Sequence, residues 1–256
     1  MQLLVAISTL AFILAGASVG LRLLRLAAQS RERPELWIGI ALFGLSGVAY
    51  PFGILGGSGR FAAPSAAALQ AVALVAVAVA GFSHCAFVRH VFRPAPAWSG
   101  FVLGLVAVSW AGFALSGLHE LWRTASPLPQ EGTRVLVRQA LMSGGFAWGT
   151  VEALVYHRKL RRRLALGLAD PVVVDRMALW ALAAGFALLS SSTMFAVTVT
   201  GADALAHPLS RLGTSIGGLG ASATLLLGFA PPHRYLAHVR ARAARRGDRS
   251  AEARGA

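Results

Sequence analysis

The sequence is short of charge. Asp, Glu, Lys and Arg make up 13% of its 256 residues, where a soluble domain carries roughly a quarter. Hydrophobic residues reach 56% and the mean hydropathy is +0.63, which leaves the membrane class. Cysteine is nearly missing too. Cys85 stands alone in an apolar run, so no disulfide can form within the chain and cysteine usage is silent on redox compartment. Lys159 is the one lysine, at the edge of an apolar run, which excludes a retinal Schiff base inside a span. HExxH, GxSxG and the phosphate-binding loop are all absent. So are a histidine triad and paired aspartates within an apolar run. Catalysis therefore lacks a nucleophile with its base, or a metal with its ligands, and the chain reads as a non-enzyme with no cofactor.

What the sequence has in abundance is apolar length. A helix needs about 20 mainly apolar residues to cross a hydrocarbon core roughly 30 Å thick. Seven stretches qualify, at about residues 2–21, 35–56, 67–88, 98–118, 136–157, 175–200 and 209–230. The fold expected is an all-α membrane protein, a seven-helix bundle over residues 1–232 followed by a basic tail at 233–256. Ala15-Gly16-Ala17 has the form of a signal-peptide cleavage site, but Arg22 and Arg25 follow the apolar run and no cation precedes it. A signal peptide has the opposite order, so the first stretch reads as a retained helix.

The cations orient the bundle. Nineteen of the 24 Lys and Arg fall in the connections after the first, third and fifth spans and in the tail, and five fall on the other side. The nineteen include Arg22, Arg25, Arg31 and Arg33, then Arg89 and Arg93, then Arg158, Lys159, Arg161, Arg162, Arg163 and Arg176. The five are Arg60, Arg123, Arg134, Arg138 and Arg211. The positive-inside rule puts the larger set in the cytoplasm, with the amino terminus outside and the carboxyl terminus inside. The net charge of +14 then serves anionic lipid of the inner leaflet rather than nucleic acid. After Pro231-Pro232, Tyr235, Leu236 and Val239 alternate with His238, Arg240 and Arg242. That pattern suits a short amphipathic helix on the inner leaflet, ahead of a disordered end.

Charges within a bilayer are costly and mark functional candidates. Glu152 is the clearest, six residues before Arg158 and so about 9 Å inside the boundary at 1.5 Å per residue. One reading makes it a proton, cation or polar-ligand site, with Trp148 and Tyr156 beside it on the same helix. The other pairs it with Arg158, Arg176 or Arg22, which its shallow depth favours. His84 lies at a similar depth and could bond Glu152 if the third and fifth spans touch. No second imidazole matches it for haem. On the outer side His119, Glu120, Asp203 and His207 have ligand types suited to zinc but no joining motif, and such groups are usually solvated. Gly213, Gly217 and Ala221 are spaced four apart, as close helix packing requires. The same purpose suits Ser190 to Thr193. Tyr50-Pro51 predicts a kink in the second span, since proline frees a carbonyl. In the fifth connection Asp170-Pro171 reads as a helix start. Asp175 is expected to pair with Arg176 or the arginine cluster.

The segment from Glu152 through Tyr156-His157-Arg158-Lys159-Leu160-Arg161-Arg162-Arg163, Asp170-Pro171, Asp175-Arg176 and Leu179-Trp180, with Phe229-Ala230-Pro231-Pro232-His233-Arg234-Tyr235, resembles a family of small bacterial seven-span proteins. It is also similar to the seven-helix sensor regions that precede some bacterial kinases, though no output domain follows here. The resemblance implies a bacterial cytoplasmic (inner) membrane and a sensor or signalling role. The leading expectation is a non-enzymatic sensor of a small or lipophilic ligand. Binding would shift the helices joined by residues 157–176, where Arg158, Arg161, Arg162, Arg163, Asp170 and Arg176 would meet lipid or a membrane or cytoplasmic protein partner. The rivals are a proton-coupled carrier that would lose flux on Glu152→Gln, and a structural subunit of a larger membrane complex.

Overall fold

The computed structural model describes residues 2–129 and 132–242, and the expectations for the end of the tail, 243–256, lie outside them. The described residues form helices and no strand. We label them α1 (Gln2–Ser30), α2 (Arg33–Gly57), α3 (Ala63–Phe92), α4 (Ala97–Thr124), α5 (Thr133–Ala165), α6 (Pro171–Val199) and α7 (Pro208–Phe229). A last helix covers residues 233–242. All but α5 among the seven are long and apolar enough to cross a membrane, which marks a multi-pass membrane protein. Helix α5 falls short on composition. Gln139 and Glu152 interrupt its apolar run, and both are buried among its neighbours.

Local chemistry sets the helix ends. Pro34, Pro64, Pro171 and Pro208 stand in the first turns of α2, α3, α6 and α7, where a missing N–H costs nothing. Asp170 caps α6 as expected, its Oδ1 accepting from the Val172 N–H at 2.7 Å. Gly167 closes α5 at φ +72°. There the Leu168 N–H reaches the Arg163 carbonyl and the Gly167 N–H reaches that of Leu164, a Schellman turn. The α5–α6 connection is therefore a tight turn.

Six helices close into a ring, in which α1, α2, α3, α5, α6 and α7 each pack on the next and α7 returns to α1. Helix α4 lies outside it, packed on α3 and touching α5 only lightly. Its outer face is apolar, with Val108 72% and Trp122 90% exposed, as a lipid-facing surface requires. The α3–α4 seam is built from Leu74, Ala78, Trp110 and Phe113. Gly81 makes it possible, because a Cβ there would strike the Trp110 indole.

The kink expected at Tyr50-Pro51 takes the form of a π-helical stretch over Phe43–Ala49. The Tyr50 N–H reaches back to the Leu45 carbonyl, one residue further than α-helical geometry allows. This widening lies against α1, where Gly20 lets the Phe43 backbone approach and Gly16 accepts the Ser46 side chain. Across the ring, Gly213 packs under Thr193, and a Cβ on Gly217 would lie 2.6 Å from the Phe186 carbonyl oxygen. The small residues of α6 and α7 thus serve close packing. Gly217→Val should lower stability by about 2 kcal/mol through overpacking, read as thermal denaturation in detergent. Gly104→Val, whose site is open on all sides, should change it by less than about 0.5 kcal/mol.

Candidate functional site

The ring encloses a cavity of about 490 Å³. Helix α1 contributes Val5, Ser8, Thr9 and Phe12, the recurrent face of one helix side. The π-helical stretch and the turns after it supply Leu45, Ala49, Tyr50 and Ile54, so the kink shapes the wall. Helices α3, α5, α6 and α7 add Gln70, Leu74, Arg138, Gln139, Met142, Phe146, Ser191, Met194 and Thr214. Leu128, Pro129, Ala204 and Leu205 stand at the mouth, in the connections at the end away from the arginine-rich turns. The other end is plugged. There Val19, Leu23, Ile38 and Ala41 form a buried cluster with Phe87, Trp180 and Phe229 against it. The Phe87 ring meets Trp180 tilted at 5.0 Å and the Phe229 ring meets it edge-on at 5.8 Å. None of these seven residues lines the cavity, so the cluster lies beyond its wall toward the arginine-rich end.

Its charges are unequal. Arg134, on the first turn of α5, donates to Glu120 at 2.6 Å. Arg211 donates its Nε–H to the Leu205 carbonyl at 2.9 Å. Arg138, one turn deeper than Arg134 and half-buried, has no hydrogen bond and no carboxylate partner among the described residues. The sequence hid this residue. With the fifth span set at 136–157 it counts as a boundary charge, whereas α5 starts at Thr133 and carries Arg138 inward.

Glu152 and His84 do not share the ring cavity. The Arg93 Nε–H bridges both Glu152 oxygens, at 2.9 and 3.0 Å. The partner is thus an arginine of the α3–α4 connection, and not Arg158, Arg176 or Arg22. Arg22 instead donates to the Phe229 carbonyl at 2.9 Å. Arg93 wins because it leaves the end of α3, the helix against which this part of α5 packs, whereas Arg158 follows Glu152 on one helix and is exposed. Glu152 lines a second, smaller cleft of about 360 Å³ between α4 and α5, with Trp98, Trp110 and Trp148. Trp148 stacks on Trp98 at 6.3 Å, and Tyr156 lies 5.6 Å from the Phe92 ring. Helices α3 and α5 do touch, yet no hydrogen bond joins His84 to Glu152. The His84 imidazole packs on Phe146, 5.2 Å between rings, over Gly149, whose missing Cβ makes room for it.

At the arginine-rich end Arg158, Arg161, Arg162, Arg163 and Arg176 are exposed. Asp175 pairs with none of them. It accepts from the Tyr235 hydroxyl at 2.6 Å, tying the 233–242 helix to the start of α6. The tail competes successfully because its hydroxyl reaches Asp175 across the α7 end, while Arg176 points to solvent. At the opposite end, His119 is exposed, Glu120 holds Arg134, the Asp203 side chain caps the Leu205 N–H and His207 caps α7 through Leu209. Among the described residues no three His, Cys, Asp or Glu side chains gather as a metal site would need. Compared with protein families, curated proteins and solved structures, the chain matches none.

Two outcomes follow from these contacts. The Glu152 side chain is 8% exposed and that of Arg93 36%, so breaking the pair is asymmetric. Arg93→Gln strands a buried carboxylate and should cost about 3 kcal/mol. Glu152→Gln leaves an arginine that can turn to water and should cost about 1 kcal/mol. Denaturation of both singles and the double checks this; equal costs with no coupling would contradict it. Burial first, then the bond to Asp175 and its charge, push the Tyr235 phenol up to about 12 from 10.0. Its folded value is raised, so the tail contact is fully present below about pH 10 and lost as pH climbs toward 12. Ultraviolet titration of the phenolate should show a late component that Tyr235→Phe removes.

Proposed function

We propose that this chain is a non-enzymatic sensor of the bacterial cytoplasmic membrane, binding a small ligand in the ring cavity from outside. In this reading α5 also spans the membrane, giving seven spans with the amino terminus outside and the arginine-rich end within. The single observation that carries it is the cavity of about 490 Å³ lined by all six helices of the ring, a size suited to a small molecule. A carrier needs a path to the second side, and the Trp180 plug stands across it. A proton-coupled carrier using Glu152 has less support, since Glu152 lies outside the ring cavity and is held by Arg93.

The coupling in this reading is mechanical. Helices α5, α6 and α7 wall the cavity and continue to the Arg161–Arg163 turn and the Tyr235–Asp175 contact. A ligand that changes their packing changes how the arginine cluster and the tail helix are presented to lipid or to a protein partner.

A thermal-stability screen of the purified protein in nanodiscs, against neutral, cationic and anionic small molecules, tests binding. A true ligand at a hundredfold excess over its Kd should raise the Tm by about 5 °C or more. Ala187→Phe, which fills the cavity wall, should abolish that shift, and Glu152→Gln should leave it. A screen without a cavity-dependent ligand sinks the proposal.

A further inference from the structure

The ring cavity has a chemical bias that narrows its ligand. Three arginines line it, and none of its described lining residues is Asp or Glu. Two of the three are already engaged, Arg134 by Glu120 at 2.6 Å and Arg211 by the Leu205 carbonyl. Arg138 is not. A guanidinium inside a bundle of apolar helices carries a large desolvation cost, which an anion or trapped water must offset. Its planar fork of donors matches a carboxylate, sulfonate or phosphate in two-point contact.

The surroundings supply the rest of such a site. Tyr50 and Gln139 line the same cavity as Arg138, a phenol and an amide that can each donate to an anionic oxygen. Among the described residues the Gln139 amide donates to the Met194 sulfur alone, at 3.7 Å, a weak acceptor that an anionic oxygen would replace. Deeper in, the wall turns apolar with Phe12, Leu45, Leu74, Met142 and Phe146, and the Phe12 and Tyr50 rings meet edge-on at 5.4 Å. A ligand that satisfies both parts has an anionic head near the mouth and an apolar body pointing to the plug. About 490 Å³ suits one chain or one ring system.

We propose that the ring cavity receives an amphipathic organic anion, with Arg138 binding its charged group and the apolar wall holding its body. This rests on the cavity being the ligand site. Water alone could also solvate Arg138, and then removing the arginine would not affect ligand affinity.

The test uses the full chain in nanodiscs of zwitterionic phosphatidylcholine. The probes are 11-(dansylamino)undecanoic acid, resembling a membrane fatty acid, and dansylglycine, a soluble acid, each beside its neutral methyl ester. At least one acid should bind saturably, and its ester at least tenfold more weakly. Arg138→Gln should lower the acid's affinity tenfold or more while leaving that of the ester, and Arg138→Lys should recover part of the loss. Which acid binds more tightly distinguishes a lipid-derived from a soluble source. Equal binding of acid and ester, or no change on Arg138→Gln with ester binding preserved, overturns the anion proposal and leaves the cavity reading standing. No saturable binding of any probe, or binding that Ala187→Phe does not reduce, overturns both.

Discussion

A charge within a stack of apolar helices must find a counter-charge or a route to water, and α5 carries three such charges on one helix. Arg134 at its start is neutralised by Glu120 of α4, and Glu152 near its far end by Arg93 after α3. These two pairs fasten α5 to the α3–α4 side at both ends, although its direct packing on α4 is slight. Arg138 lies between them and lines the ring cavity with no carboxylate partner among the described residues. Polar α5 is therefore the helix on which the positions of its neighbours depend.

The remaining helices accommodate that wall through missing atoms. Gly16 and Gly20 let α1 close on the widened turns of α2, and Gly213 and Gly217 let α7 close on α6. Close approach on those flanks leaves the volume unfilled at the centre. The π-helical stretch before Pro51 then aims Leu45, Ala49 and Tyr50 inward. Kink, glycines and cavity are thus parts of one geometry, while the Phe87, Trp180 and Phe229 cluster plugs one end.

Much of this was legible in the amino-acid order, because hydropathy and helix-end chemistry act locally. The apolar runs, the Asp170-Pro171 cap, the Pro51 kink and the small-residue spacing in α7 all rest on neighbours within a few residues. Partner choice does not. Glu152 meets Arg93, 59 positions away, and Asp175 meets Tyr235, 60 away. Nothing in spacing along the chain selects these arginines and tyrosines over nearer ones; the order of helices around the ring does. Arg138 was obscured for a related reason. An arginine two residues inside a hydropathy boundary counts as a surface charge until the helix start is known, and α5 begins three residues before that boundary.

The account depends most on a cavity that water reaches from the amino-terminal side alone. Cys85 is the only cysteine, so a Cys85→Ala background permits labelling of single cysteines placed at Thr9, Ser191 and Trp180 with a membrane-impermeant maleimide. Applied to oriented membranes, the reagent should modify Thr9→Cys and Ser191→Cys from the amino-terminal side alone and leave Trp180→Cys unlabelled from that side. Labelling of Thr9→Cys and Ser191→Cys from the arginine-rich side, or from neither, would contradict it.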